Sequence, residues 1–242
     1  MKKIIIANWK CNPSSIKQAR ALASGLTRKE AEVIICPPFC YLQAINSKAI
    51  KLGAQDCFYK QGGAYTGQVS ADMLKDLGVK YVLIGHSEKR ALGETDEMVN
   101  KKIKVALKAG LIPILCVGES LKDRTNGEAF KVIESQIKKA LDKVQRKDIE
   151  KMIIAYEPIW SIGTGRPCLP DSAETISLFI RKRMADIVGK KNTDKLKIVY
   201  GGSINSKNAA DYLASPWLNG LLVGGASLDK KEFLQILKKT VE

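Results

Sequence analysis

A single histidine, His86, serves the whole 242-residue chain, aromatics make up only 6% of it, and 25 acidic residues face 40 basic ones. One histidine and no CxxC pair leave little from which to build a Cys/His metal site, so no metal is expected. So few aromatics cannot form the stacking platform that binds single-stranded nucleic acid. No apolar run exceeds about five residues, far below the ~20 that cross a bilayer, so no membrane partner is expected. The opening MKKIII is too short for the core of a secretory signal and no small-residue cleavage site follows it, so the chain reads as cytoplasmic. No linker rich in Pro, Gly or Ser interrupts it, and residues 1–242 are expected to form one domain.

Six cysteines are present: Cys11, Cys36, Cys40, Cys57, Cys116 and Cys168. They lie far apart in a chain too long to need staples and are expected to be reduced, either buried or at an interface. The net charge of +15 suits nucleic acid, an anionic membrane or an anionic small substrate. The basic residues are spread over segments that read as helical. Lys101, Lys102, Lys104 and Lys108, for example, are spaced as a solvated outer face, which makes nucleic acid an unlikely partner.

Short β-branched runs alternate with longer amphipathic stretches. Strands are expected at 4–7, 32–36, 51–54, 81–84, 112–116, 152–155, 197–200 and 220–223. Each is apolar without alternation, the pattern of a strand buried on both faces of a parallel sheet. Helices are expected at 15–26, 39–45, 71–77, 96–108, 128–145, 172–188, 206–213 and 230–239. Thr95, Pro170 and Ser206 read as start signals, and Gly53, Gly78, Gly110 and Gly189 as terminators. Repeating units of about 30 residues imply parallel crossovers, and eight of them point to the α/β class and a closed (β/α)8 barrel. An open doubly wound sheet would need a glycine fingerprint after the first strand, and Asn8-Trp9-Lys10-Cys11-Asn12 is not one.

Reactive groups of such a barrel belong at the C-terminal ends of its strands. Polar residues gather there: Asn8 and Lys10 after the first, His86 with Ser87 and Glu88 after the fourth, Glu119 after the fifth, Glu157 after the sixth. A lone histidine is often structural, but a helix starting just after His86 would keep its ring neutral and able to donate to a carbonyl oxygen. Glu157, at the mouth of an apolar barrel, would be partly desolvated and so a better base; otherwise it is a surface carboxylate capping a turn. Lys10 on a barrel strand would point to the other rim groups and offset negative charge on an oxygen. Three glycine segments, at 162–165, 201–203 and 224–225, offer backbone N–H groups to an anion such as phosphate.

The strings ANWK at 7–10, IGHSE at 84–88, AYEPIW at 155–160, IGTG at 162–165, YGGS at 200–203 and LVGGASL at 222–228 resemble triosephosphate isomerases, in order and over essentially the whole chain. The resemblance implies a homodimeric, cofactor-free TIM barrel of glycolysis that interconverts dihydroxyacetone phosphate and D-glyceraldehyde 3-phosphate. It implies Glu157 as the proton-shuttling base, His86 as the neutral electrophile, and Lys10 and Asn8 as contacts to the substrate oxygens. Glu88 would hold Lys10, while Gly163, Ser203, Gly224 and Gly225 would carry the phosphate. Residues 158–168 resemble a mobile lid that presses Ile162 and Leu222 against Glu157, and residues 62–70 a loop that inserts into a second copy. Four positions depart from the family. Lys89 and Arg90 stand where the family usually has two arginines, so a bidentate contact is expected to be lost at 89. Ala91-Leu92 shortens the next loop. Pro167 in Arg166-Pro167-Cys168 restricts the distal hinge. Gln68 stands where the family often has glutamate. Two other readings remain open from the residues: a phosphate-binding barrel such as an epimerase or synthase, and a basic nucleic-acid-binding or scaffold barrel without catalysis.

Overall fold

The computed structural model describes residues 2–26, 31–45, 49–189 and 195–240. Met1 and residues 241–242, the two ends of the expected domain, lie outside them. The sheet is a closed, all-parallel barrel in sequential order: β1 (Lys3–Asn8), β2 (Ala31–Cys36), β3 (Lys51–Ala54), β4 (Tyr81–Ile84), β5 (Ile112–Val117), β6 (Ile153–Tyr156), β7 (Lys197–Tyr200) and β8 (Gly220–Val223). Each expected strand is present within a residue or two of its expected bounds. Because both faces of every strand are covered, apolar side chains alternate between two cores. Ile4, Ile6, Leu83, Ile114 and Val199 pack together in one, and Ile5, Ala7, Val82 and Leu115 join the other beneath the helices. The seam is tight: Ile4 pairs with Gly220, where an added Cβ would lie 1.8 Å from the Ile4 carbonyl oxygen.

The longer helices are α1 (Ile16–Ala23), α2 (Ala71–Asp76), then α4 (Asp96–Lys108) after a short α3 (Ser87–Ala91). The order continues with α5 (Leu121–Thr125), α6 (Ala129–Ala140), α7 (Arg146–Ile149), α8 (Pro170–Val188), α9 (Ala209–Ala214) and α10 (Lys230–Lys238). The Thr95 hydroxyl caps α4 by accepting from Met98 N–H, and Pro170 opens α8, as their sequence suggests.

Four local expectations are corrected. The segment 39–45 forms a 3-10 helix, Phe39–Ala44, rather than an α-helix. The stretch 128–145 breaks after Ala140, where Lys143 takes φ 56°, and resumes as α7. Ser206 does not start α9; its hydroxyl donates to Glu232 Oε2 at 3.0 Å, and Asn208 precedes the helix. Gly53 ends no helix: it lies inside β3, where a Cβ would come 2.5 Å from Cys36 Sγ.

The charge reading needs a larger correction. Lys102 is buried, not part of a solvated face, with its ammonium between Glu94 and Asp56 (2.6 Å to Asp56 Oδ1). Glu94 in turn accepts from Gly85 N–H at 3.0 Å, just before His86. Cys36, Cys57, Cys116 and Cys168 are buried, Cys11 and Cys40 are exposed, and all six are free thiols. No helix among the described residues is long and apolar enough to cross a membrane.

Candidate active site

The barrel brings Asn8, Lys10, His86 and Glu157 to one rim, around a cavity of about 200 Å³. Gly163, Ser203, Gly224 and Gly225 line the same cavity, as do Ile162 and Leu222. Glu88 stands behind it, its Oε1 accepting from Lys10 Nζ at 2.6 Å. Sequence reasoning did not single out Ile204 and Ala226, which also form the wall.

Glu157 follows β6 directly and is 2% exposed, so it is not a surface turn cap. Its N–H donates to Val117 O at 2.8 Å, which ties its backbone to the end of β5. One carboxylate oxygen, Oε2, accepts from Ser87 N–H at 3.1 Å, while Oε1 lies 3.2 Å from His86 Nε2. The buried Cys116 thiol neighbours the same carboxylate. Burial first, and then the neighbouring negative charge, push this thiol well above its ordinary range, so it stays protonated.

His86 is the residue before α3, and its Nδ1 accepts from Glu88 N–H at 3.2 Å. An acceptor Nδ1 in a neutral ring leaves the proton on Nε2, which faces Glu157 and, at 3.3 Å, Asn8 Nδ2. Asn8 is the last residue of β1, and its Oδ1 accepts from Lys10 N–H at 3.1 Å. Lys10 sits in the left-handed region with φ 52°, its carbonyl accepting from Gln55 Nε2 at 2.8 Å. That turn directs the ammonium back across the rim to Glu88.

The opposite wall is backbone. Gly201 packs against Glu157, for a Cβ there would lie 3.1 Å from its Cγ. A Cβ at Gly202 would collide with the Tyr200 hydroxyl and, at 2.7 Å, with Ser161 Oγ. Ser203 N–H, expected to face the cavity, donates instead to Ser161 Oγ at 3.2 Å. Gly225 begins a 3-10 turn, Gly225–Leu228, after β8.

Residues 158–168 cross the cavity mouth. Glu119 is fully buried and holds the start of this segment rather than lining the rim cavity. It accepts from Trp160 Nε1 at 2.8 Å and Tyr156 OH at 3.2 Å. Near the far end of the segment, Tyr200 and Tyr212 stack with ring centroids 4.1 Å apart. Cys168 N–H donates to Tyr200 OH at 3.2 Å, and Tyr212 OH donates to Cys168 O. The departures at 89–90 also have partners: Lys89 pairs with Asp56 at 2.9 Å, and Arg90 donates to Gly85 O and Asp96 Oδ1, both at 2.7 Å.

A closed parallel barrel with a buried carboxylate, a histidine ring and a lysine ammonium facing one small cavity has the layout of an enzyme of the (β/α)8 class. Comparison with known proteins narrows that class. The family model for triosephosphate isomerase matches residues 3–240. The chain is 44% identical over 248 residues to triosephosphate isomerase of Dictyoglomus thermophilum, covering 98% of this chain and 99% of that protein. It is 43% identical over 247 residues to that of Aquifex aeolicus, with 98% and 99% coverage. It is 46% identical over 244 residues to that of a Thermoanaerobacter species, with 98% of both covered. The chain belongs to the triosephosphate isomerase family and is an isomerase.

Proposed function

We propose that the chain, acting as a single catalytic domain over residues 1–242, interconverts dihydroxyacetone phosphate and D-glyceraldehyde 3-phosphate through an enediolate. The observation that carries this reading is the 3.2 Å approach of Glu157 Oε1 to His86 Nε2 inside one cavity with Lys10. The Glu157 carboxylate takes a proton from the carbon beside the carbonyl. His86 donates from Nε2 to the carbonyl oxygen, and a neutral donor can also take a proton back from the neighbouring hydroxyl. Lys10 and Asn8 offset and orient the developing oxyanion. Glu157 then returns its proton to the adjacent carbon, and every step is a proton transfer carried by a residue of the chain.

The phosphate is bound by backbone N–H groups of Gly163, Ser203, Gly224 and Gly225, with Ser203 exchanging Ser161 Oγ for the ligand. Residues 158–168 close over the intermediate and hold Ile162 and Leu222 against the base. Without water, the enediolate is protected from losing phosphate. This is a step of glycolysis and gluconeogenesis, in the cytoplasm, with neither nucleic acid nor membrane as partner.

The enzyme acts as a homodimer. Of the loop 62–70, residues 62–68 are exposed and carry Tyr65, suited to insertion into a second copy, while Val69 is half-buried and Ser70 buried. Sedimentation velocity should give twice the chain mass, and a stable monomer would refute the dimer. The reaction is tested with a coupled assay on D-glyceraldehyde 3-phosphate. Glu157→Asp retracts the carboxylate by roughly 1 Å, and a misplacement of that size costs about 100-fold in kcat. Wild-type protein that is folded but inactive would overturn the reading.

A further inference from the structure

Glu157 must present its carboxylate within a fraction of an ångström, yet it lies outside β6 and beyond that strand's ladder. Its backbone rests instead on residues 117 and 118. Its N–H bonds Val117 O, and its carbonyl fills the place where a side chain at 118 would begin: a Cβ at Gly118 would lie 1.7 Å from Glu157 O. Gly118 is therefore the surface against which the base is registered, and it too lies past the end of its strand. Both of its backbone polar groups are held by one side chain. Gly118 N–H donates to Gln136 Oε1 at 2.8 Å, and Gln136 Nε2 donates to Gly118 O at 3.0 Å. Gln136 lies on α6, whose Ile133 and Ile137 are fully buried, so its stem is anchored to a packed helix.

We propose that Gln136 is a positioning residue: its carboxamide clamps Gly118, and Gly118 sets where the Glu157 backbone lies. The proposal rests on Glu157 being the base of the reaction above. A carboxamide is the side chain that can pair with both N–H and C=O of a single residue, because it offers a donor and an acceptor side by side. An apolar residue of equal length would fill the space but leave Gly118 free to shift, together with the carbonyl it abuts.

The test compares Gln136→Met, which removes both bonds, with Gln136→Glu, which keeps the acceptor for Gly118 N–H and loses the donor. Turnover is read beside amide hydrogen exchange at Gly118 and Glu157. For Gln136→Met, kcat should fall about 10- to 100-fold with KM within about threefold, as for a base displaced by up to ~1 Å. Exchange at those two amides should accelerate while the rest of the barrel is unchanged. Gln136→Glu should be intermediate in both. A variant with full kcat overturns the proposal, as does lost kcat with unchanged local exchange. So does loss of activity that tracks uniform opening of the barrel. If the wild type does not turn over triose phosphates, the assignment of the reaction fails by itself, and local exchange alone still decides whether Gln136 holds Glu157.

Discussion

Lys10 shows how a residue of the cavity rim can be held in an unfavourable backbone state. Its φ of 52° places a side chain where glycine is at home, at a cost of roughly 1–2 kcal/mol. The bonds from its N–H to Asn8 and from Gln55 to its carbonyl hold it there. Lys10→Gly should relieve that strain while losing only a partly exposed ion pair, which is worth little to stability. We expect Tm unchanged or raised by up to ~2–4 °C. Meanwhile kcat/KM should fall on the order of 100- to 1000-fold through loss of the cation facing the oxyanion. Calorimetry and the coupled assay check both, and a clear drop in Tm would show that Lys10 stabilises the fold. At this scale the sequence was informative where a polar residue stood at or just past the end of a buried strand, as at Asn8, Lys10, His86 and Glu157, which all line one cavity. It was silent about Cys116, Ser161 and Gln136. These look like an ordinary strand, loop and helix residue, and their places beside the base are decided by packing between distant segments.

Between elements, the most consequential side chain is Lys102 of α4. It joins Asp56, after β3, to Glu94, before α4, and Glu94 holds Gly85 at the end of β4. Burial pulls the ammonium's pKa down, but Asp56 and then Glu94 outweigh it, and the net shift is upward. A cation whose pKa rises on folding adds stability below its unfolded value of 10.5 and loses it as pH climbs through the folded value. Lys102→Met leaves the buried Glu94 carboxylate without its cation, while Asp56 keeps Lys89, at a cost of about 3–5 kcal/mol. Denaturant unfolding at pH 7 would measure it, and the gap to wild type should narrow above pH 10.5. A loss under ~1 kcal/mol would mean that the carboxylates are resolvated without it. Helices with several turns, such as α4 and α8, were legible from their periodicity and caps. The short helices α5 and α7 were not, since so short a segment shows no period, whereas the start of α3 just after His86 was expected. The burial of Lys102 was equally hidden, because a lysine at helical spacing reads as solvated until the groups across from it are known.

For the molecule as a whole, the excess of positive charge has a use consistent with the proposed reaction. A dianionic substrate approaching a protein of net charge +15 is drawn in over distances comparable to the Debye length, ~10 Å at 0.1 M salt. Raising ionic strength from ~20 to ~200 mM should lower kcat/KM several-fold and leave kcat nearly constant. Stopped-flow or steady-state kinetics across salt would test this, and a flat kcat/KM would leave the charge without a kinetic role. The architecture itself was legible throughout, because eight doubly buried strands at even spacing admit few other arrangements.

The seam between Ile4 and Gly220 also governs how the molecule comes into being. The second neighbour of β1 is the last strand of the barrel, so a growing chain on the ribosome carries β1 as an open edge until residues 220–223 have emerged. Contacts this remote in sequence form late and slow folding. Every shorter intermediate exposes two unpaired edges able to capture another chain. Synthesis, rather than the finished barrel, is therefore the stage at which this protein is most exposed to aggregation and most in need of a chaperone.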